Sequence, residues 1–190
     1  MHMCGRYVFW DEKNQRWQRL IEQARQKFAE KDFEEVSLTE VFPGTQAFAG
    51  IYIPARDTHV MRIMKWGYPR STGSPVINGR SETCFSSRFF AGSIPCVLPA
   101  SYYYEWTKSP RVRYAFRIAD ECMYLGGLAR QFADGWHFVI LTEEARGEAR
   151  TVHDRMPLAF TYEDAKKWCA SEHPTSLYSL SVSERFIEKA

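Results

Sequence analysis

The 190 residues contain no long apolar run, no internal repeat, no low-complexity tract and no Gly/Ser linker. The longest apolar stretches, Cys122 to Leu128 and Phe138 to Leu141, fall far short of the ~20 residues that cross a bilayer. The start lacks a basic region followed by an apolar one, so it does not read as a secretory signal. A soluble, unexported, cytoplasmic protein built as one domain over residues 1–190 is expected. Cysteine is sparse as well: Cys4, Cys84, Cys96, Cys122 and Cys169 are odd in number and scattered, and none forms the close pair of a zinc site or a thioredoxin-like motif. Reduced thiols follow. Charge of one sign is also lacking, since 25 basic residues meet 23 acidic ones for a net +2, and that balance does not itself imply a polyanionic partner.

Locally the charge is uneven. Between positions 62 and 88, Arg62, Lys65, Arg70, Arg80 and Arg88 face only Glu82, which makes this segment a candidate anion-binding face. Asp11 is placed to cap a helix whose Trp17, Leu20, Ile21, Ala24 and Phe28 follow the 3.6-residue period. Six stretches read as strands because they are aromatic or β-branched and bounded by Pro, Gly or Asp. They are Ile51 to Ile53, Val60 to Trp66, Cys96 to Trp106, Arg113 to Ile118, Met123 to Leu128 and Trp136 to Thr142. Thr161 with Asp164 predicts a capped helix running through Trp168 and Cys169, and Ser87 to Ala91 a shorter one. Strands punctuated by few helices point to an α+β fold rather than to alternating βαβ units.

Reactive chemistry begins at Met3-Cys4-Gly5-Arg6. With everything before it removed, Cys4 becomes a 1,2-aminothiol. An α-amine titrates near pH ~8 against ~10.4 for lysine, so far more of it is free to attack a carbonyl at neutral pH. The resulting Schiff base can be closed by the neighbouring thiol into a five-membered thiazolidine, which hydrolyses less easily than the imine. The alternative for a lone cysteine is a small buried hydrophobe at a strand start.

Further along stand Trp66-Gly67-Tyr68, Asn78-Gly79-Arg80 with Glu82-Thr83, Ser87-Arg88-Phe89, Glu105-Trp106 and His153-Asp154-Arg155-Met156-Pro157-Leu158. With Cys4-Gly5-Arg6, and in this order, these blocks resemble the SRAP family, the SOS response-associated peptidases, which include abasic-site shielding proteins. The resemblance runs from Cys4 to Leu158. It implies an α+β domain with a mostly antiparallel, curved or bifurcated, barrel-like sheet and a few flanking helices. It also implies a self-modifying enzyme of DNA repair that needs no metal or organic cofactor and acts as a monomer on single-stranded DNA containing abasic sites, at the nucleoid when bound. Cys4 matches the family's nucleophile, Asn78 the asparagine beside it, Glu105 the active-site glutamate and His153 the active-site histidine. Arg6, Arg80, Arg88 and Arg155 match family arginines, whose forks suit phosphate, and Trp66 and Trp106 are candidates to stack on bases. Read without the family, Asn78 suits a turn before Gly79, Glu105 an outward strand position in an aromatic setting, and the tryptophans a core.

Three departures qualify the match. Glu40-Val41-Phe42-Pro43 stands where family members commonly have Asn-x-Ala-Pro, Pro69-Arg70-Ser71 where some place a tryptophan pair, and Gly79 where a small alanine is usual. In addition, Met1-His2 precedes Met3, and methionine removal before histidine is disfavoured, so the α-amine of Cys4 is blocked as written. Either Met1 and His2 are foreign to a natural start at Met3, or the chain cuts itself before Cys4. Two other function classes stay open: a thiol peptidase with Cys4 as nucleophile and His153 or Glu105 as base, and a non-catalytic single-strand binder.

Overall fold

Residues 5–10, 15–119, 122–172, 174–182 and 184–190 are described by the computed structural model. In chain order their elements are β1 (Tyr7–Val8), α1 (Gln15–Lys27), α2 (Glu30–Glu34), β2 (Glu40–Val41), β3 (Gln46–Ile53), β4 (Thr58–Trp66), β5 (Asn78–Arg80) and α3 (Ser81–Cys84). There follow β6 (Ile94–Ala100), β7 (Tyr102–Trp106), β8 (Arg113–Arg117), β9 (Met123–Phe132), β10 (Gly135–Glu144), β11 (Arg155–Pro157), β12 (Ala159–Phe160), α4 (Tyr162–Ala170) and β13 (Phe186–Lys189). The architecture is α+β, mostly sheet.

One sheet runs β11-β10-β4-β3-β6-β9-β12, and β9 also pairs with β10, so β10, β4, β3, β6 and β9 close into a ring. Most ladders are antiparallel, but β4 and β5 each lie parallel to β10. Closure needs a close approach at Gly127, where a Cβ would stand 2.5 Å from the Val139 carbonyl oxygen. A second sheet, in the order β13-β8-β7-β1-β2, carries the N-terminal strand between β7 and β2. The expected stretch Cys96 to Trp106 is therefore not one strand but two, in different sheets, and Ser101 is where the chain changes over. Its N–H donates to the Val8 carbonyl at 2.8 Å and its hydroxyl to that of Phe9 at 3.1 Å, so the β1 strand pulls the chain out of the first sheet.

The core lies between the sheets and under the helices. On α1, Trp17 and Ala24 are buried, and Leu20, Ile21 and, just past its end, Phe28 pack partly buried against the core, as the period requires. Asp11, the expected cap, lies outside the described residues. On α4 the Thr161 side chain accepts the Asp164 N–H at 3.4 Å, and Trp168 turns inward to donate to the Cys96 carbonyl at 3.0 Å. The short helix expected at Ser87 to Ala91 is a 3₁₀ turn over Arg88–Phe90, with the Ser87 hydroxyl accepting from the Phe89 N–H. Among the described residues no helix is long and apolar enough to cross a membrane.

Candidate active site

Cys4 lies outside the described residues, but the strand it leads into is well placed. The Tyr104 N–H donates to the Arg6 carbonyl at 3.0 Å, so the chain after Gly5 runs alongside β7. Side chains alternate along a strand. Tyr103 and Glu105 consequently share the inward face of β7, at 0% and 4% exposure, while Tyr102, Tyr104 and Trp106 share the outward one. Glu105 is thus not an outward strand residue. Its carboxylate lies within 3.4 Å of the Trp106 N–H, a weak contact.

Asn78, Gly79 and Arg80 form β5, laid parallel on β10 with Asn78 abreast of Ile140 and Arg80 abreast of Thr142. The Ile140 N–H donates to the Ile77 carbonyl at 3.1 Å, and the Trp66 indole N–H donates to the same oxygen at 2.9 Å. Trp66 also meets Tyr7, ring centroids 5.5 Å apart. This corrects the expectation that Trp66 stacks on a base: it is fully buried and offers no open face. Its place is structural, joining the N-terminal strand to the segment that presents Asn78.

Gly79 fits its surroundings because a Cβ there would stand 2.9 Å from the Leu141 side chain and 3.2 Å from the Phe90 ring. Phe90 occupies the space that an alanine would need. This contact brings the 3₁₀ turn bearing Arg88 against the strand bearing Arg80, and both arginines are exposed.

His153 follows a 3₁₀ turn, Gly147–Thr151, and is 9% exposed. Its Nδ1 lies 2.8 Å from the Asp154 carboxylate and 3.1 Å from the Arg155 N–H, and it can donate to the first or accept from the second but not both. Burial holds the imidazole pKa below its ordinary 6.5, and Lys108 lowers it further while Asp154 opposes the shift. Lys108 belongs to the turn between β7 and β8, so a charge of that turn acts on His153. The shift favours the neutral imidazole.

Arg155 does not point freely to solvent as a phosphate contact would. Its fork pairs with both Glu82 oxygens at 2.6 and 2.7 Å and also donates to the Thr142 carbonyl at 2.5 Å. That pairing holds the Glu82 carboxyl below the usual range and ties α3 to β10 and β11. Arg6 sits over Phe42 and Trp106, with guanidinium-to-centroid distances of 4.4 and 5.7 Å, and reaches Glu40 at 3.4 Å. The acid that departs from the family pattern is thus the partner of a family arginine.

The remaining thiols are poorly suited to nucleophilic work. Cys84, Cys96, Cys122 and Cys169 are buried and outside any disulfide. Burial pushes the Cys84 thiol up to about 11 and Cys169 up to about 12, and raises Cys96 as well. Thiolate, the reactive form, is scarce at such sites.

The profile of the SOS response associated peptidases (SRAP) matches residues 3–187. The chain belongs to the SRAP family. Similar SRAP-type sequences include the abasic site processing protein YedK of Escherichia coli (strain K12), 26% identical over 187 residues that span 90% of this chain and 81% of YedK. The abasic site processing protein YoqW of Bacillus subtilis (strain 168) is 27% identical over 137 residues, 65% of this chain and 61% of YoqW. In fold the SRAP chain is similar to a crystallised protein from Bacteroides thetaiotaomicron, with a TM-score of 0.70 at 16% identity over 98% of this chain and 91% of that one. It is likewise similar to a crystallised phage-related protein from Bordetella bronchiseptica, with a TM-score of 0.69 at 19% identity over 98% of this chain and 94% of that one.

Sequence reasoning passed over two contributors to this SRAP site and left a third without a role. Thr142 and Glu82 hold Arg155, and Arg130 clamps the Arg88 turn by donating to the Phe89 and Ala91 carbonyls, each at 2.9 Å. Glu82 stands in a motif block that does not reveal its pairing with Arg155, and no local pattern announces Thr142 or Arg130, because each acts across the fold rather than along the chain.

Proposed function

We propose that this chain binds single-stranded DNA at abasic sites and captures the ring-opened sugar covalently on Cys4. Once residues 1–3 are released, the Cys4 α-amine adds to the C1′ aldehyde to give a carbinolamine. Loss of water gives the imine, and the thiol adds across its C=N bond, its proton passing to nitrogen, to close the thiazolidine. No electrons are gained or lost overall. Glu105 is assigned the proton transfers of ring opening and dehydration, His153 a second proton acceptor near neutral pH, and Asn78 the orientation of the opened sugar by its amide. Arg80 and Arg88 take the phosphates.

The observation that carries the reading is the placement of Glu105. The strand leading from Cys4 runs beside β7, and β7 presents a carboxyl 4% exposed on its inward face. The names of YedK and YoqW agree with an abasic substrate. Peptidase action on the chain's own leader fits the same nucleophile and is how a blocked Cys4 amine would be freed.

Single-turnover crosslinking at saturating abasic single-stranded DNA tests the assignment. Glu105→Gln keeps the shape but carries no transferable acid proton, and a loss of about ten- to ten-thousandfold is expected, the range of general acid–base catalysis. Adduct reversal crosses the same transfers and should slow as well. Wild-type rates in both directions would remove Glu105 from the mechanism.

A further inference from the structure

The outward face of the second sheet carries a feature that the site chemistry does not use. Tyr102, Tyr104 and Trp106, alternate residues of β7, form a rail with ring centroids 5.3 and 6.2 Å apart in succession. Each ring carries a guanidinium. Arg117 lies over Tyr102 at 4.5 Å, Arg113 over Tyr104 at 4.7 Å and Arg111 over Trp106 at 5.7 Å. Arg6 shares the Trp106 ring at 5.7 Å, so the rail begins at the residue two places from Cys4. These rings, with Val8 and Ala115, form an apolar cluster separate from the two that fill the core.

Cross-strand pairing sets Trp106 opposite Arg113 and Ala115 opposite Glu188. Among the described residues, therefore, the acids on this face are Glu188 and Glu40, the latter at Arg6, against four arginines. A guanidinium stacked on a ring uses its π face and keeps its in-plane N–H groups for acceptors beyond the ring. Alternate strand residues repeat every ~6.6 Å, close to the spacing of successive phosphates in an extended single strand. A row of guanidiniums seated on rings that follow this repeat is complementary to a polyanionic backbone.

We propose that this face is a second stretch of the single-strand path, along which Arg111 and Arg113 bind phosphates of nucleotides beyond those held at the Cys4 site. The proposal rests on the single-strand reading above. It assigns the face to DNA rather than to an acidic protein because the cations sit on successive rings of one strand and the last ring is shared with Arg6.

The test is the dependence of affinity on strand length. Fluorescence anisotropy would compare labelled single strands of about 5 and about 15 nucleotides, within the range of single-strand site sizes, on wild type and on Arg111→Gln with Arg113→Gln. The double variant is expected to bind the short strand like wild type and the long strand about tenfold more weakly. Its salt slope on the long strand should fall by about 1.4, roughly 0.7 for each lost phosphate. Arg111→Gln alone, altering an exposed turn, should give about half of that change and guards against misfolding of the double variant. Equal loss on both strands, or none on the long strand, overturns the proposal while leaving the Cys4 chemistry intact. Polyglutamate displacing the long strand as well as unlabelled DNA does would overturn the assignment to nucleic acid. Wild type binding neither strand would overturn the single-strand reading and this proposal together.

Discussion

Glu40 on β2 pairs with Arg6, the residue before β1. Their 3.4 Å contact joins two half-exposed side chains, and such pairs contribute roughly 0.2–1 kcal/mol. Glu40→Gln should therefore tighten single-strand binding, by up to about fivefold at low salt, as read by anisotropy; weaker binding would mean that Glu40 orders Arg6 rather than competing for it. At His153 the sign of the pH effect follows from a folded-state pKa held below the ordinary 6.5 by burial. Between the two values the unfolded chain binds the proton and the folded one does not. The stability contributed by this neutral ring is thus present above pH 6.5 and lost as pH falls below it. His153→Gln should flatten the acid limb of thermal stability there, and an unaltered limb would place its origin elsewhere.

At the scale of elements, Trp66 is the clearest case of a role changed by burial. Its sequence setting, an aromatic at the end of a strand, suits a base platform and a core residue equally, and local sequence cannot choose between them. The fold does, because β4 lies parallel to β10 and turns the indole toward Tyr7 and Ile77. Trp66→Phe removes one of the two donors to the buried Ile77 carbonyl, the Ile140 N–H remaining, so it should cost about 0.5–1.5 kcal/mol for the lost hydrogen bond, and should slow adduct formation without changing the salt slope of DNA binding. A reduced slope would restore Trp66 as a strand contact. Arg80→Ala or Arg88→Ala should do the reverse, flattening the slope by roughly 0.7 each, with crosslinking recovered at saturating DNA.

The same scale shows what was legible. Periodicity gave α1, the Thr161–Asp164 cap gave α4, and β-branched and aromatic runs gave the centres of the long strands, because these signals come from residues near in sequence. The break at Ser101 carried no such signal, since it is fixed by hydrogen bonds to Val8 and Phe9 about ninety positions away. β5 went unread because three residues, one of them glycine, form a strand only by lying on β10. Of the site, the residue types were readable and their company was not: nothing local says that Arg155 meets Glu82, or that Lys108 stands near His153.

Over the whole molecule, two sheets divide the work. The ring sheet presents Asn78 and Arg80 and, through β11 and the turn before it, Arg155 and His153. The smaller sheet presents Glu105 inward and supports the strand that follows Cys4. Their meeting at Ser101 makes the site depend on packing far from it. The burial of Cys84, Cys96, Cys122 and Cys169, with burial raising the thiol pKa of Cys84, Cys96 and Cys169, leaves Cys4 as the cysteine on which covalent chemistry is proposed. The most direct measurement is therefore a denaturing gel with intact-mass analysis of protein beginning at Cys4, mixed with single-stranded DNA whose abasic site is either intact or borohydride-reduced. The account predicts a denaturant-stable adduct with the intact site only, its mass that of protein plus DNA less one water, and at most a labile imine with Cys4→Ser. Equal adduct with reduced DNA, or a stable adduct with Cys4→Ser, would contradict it.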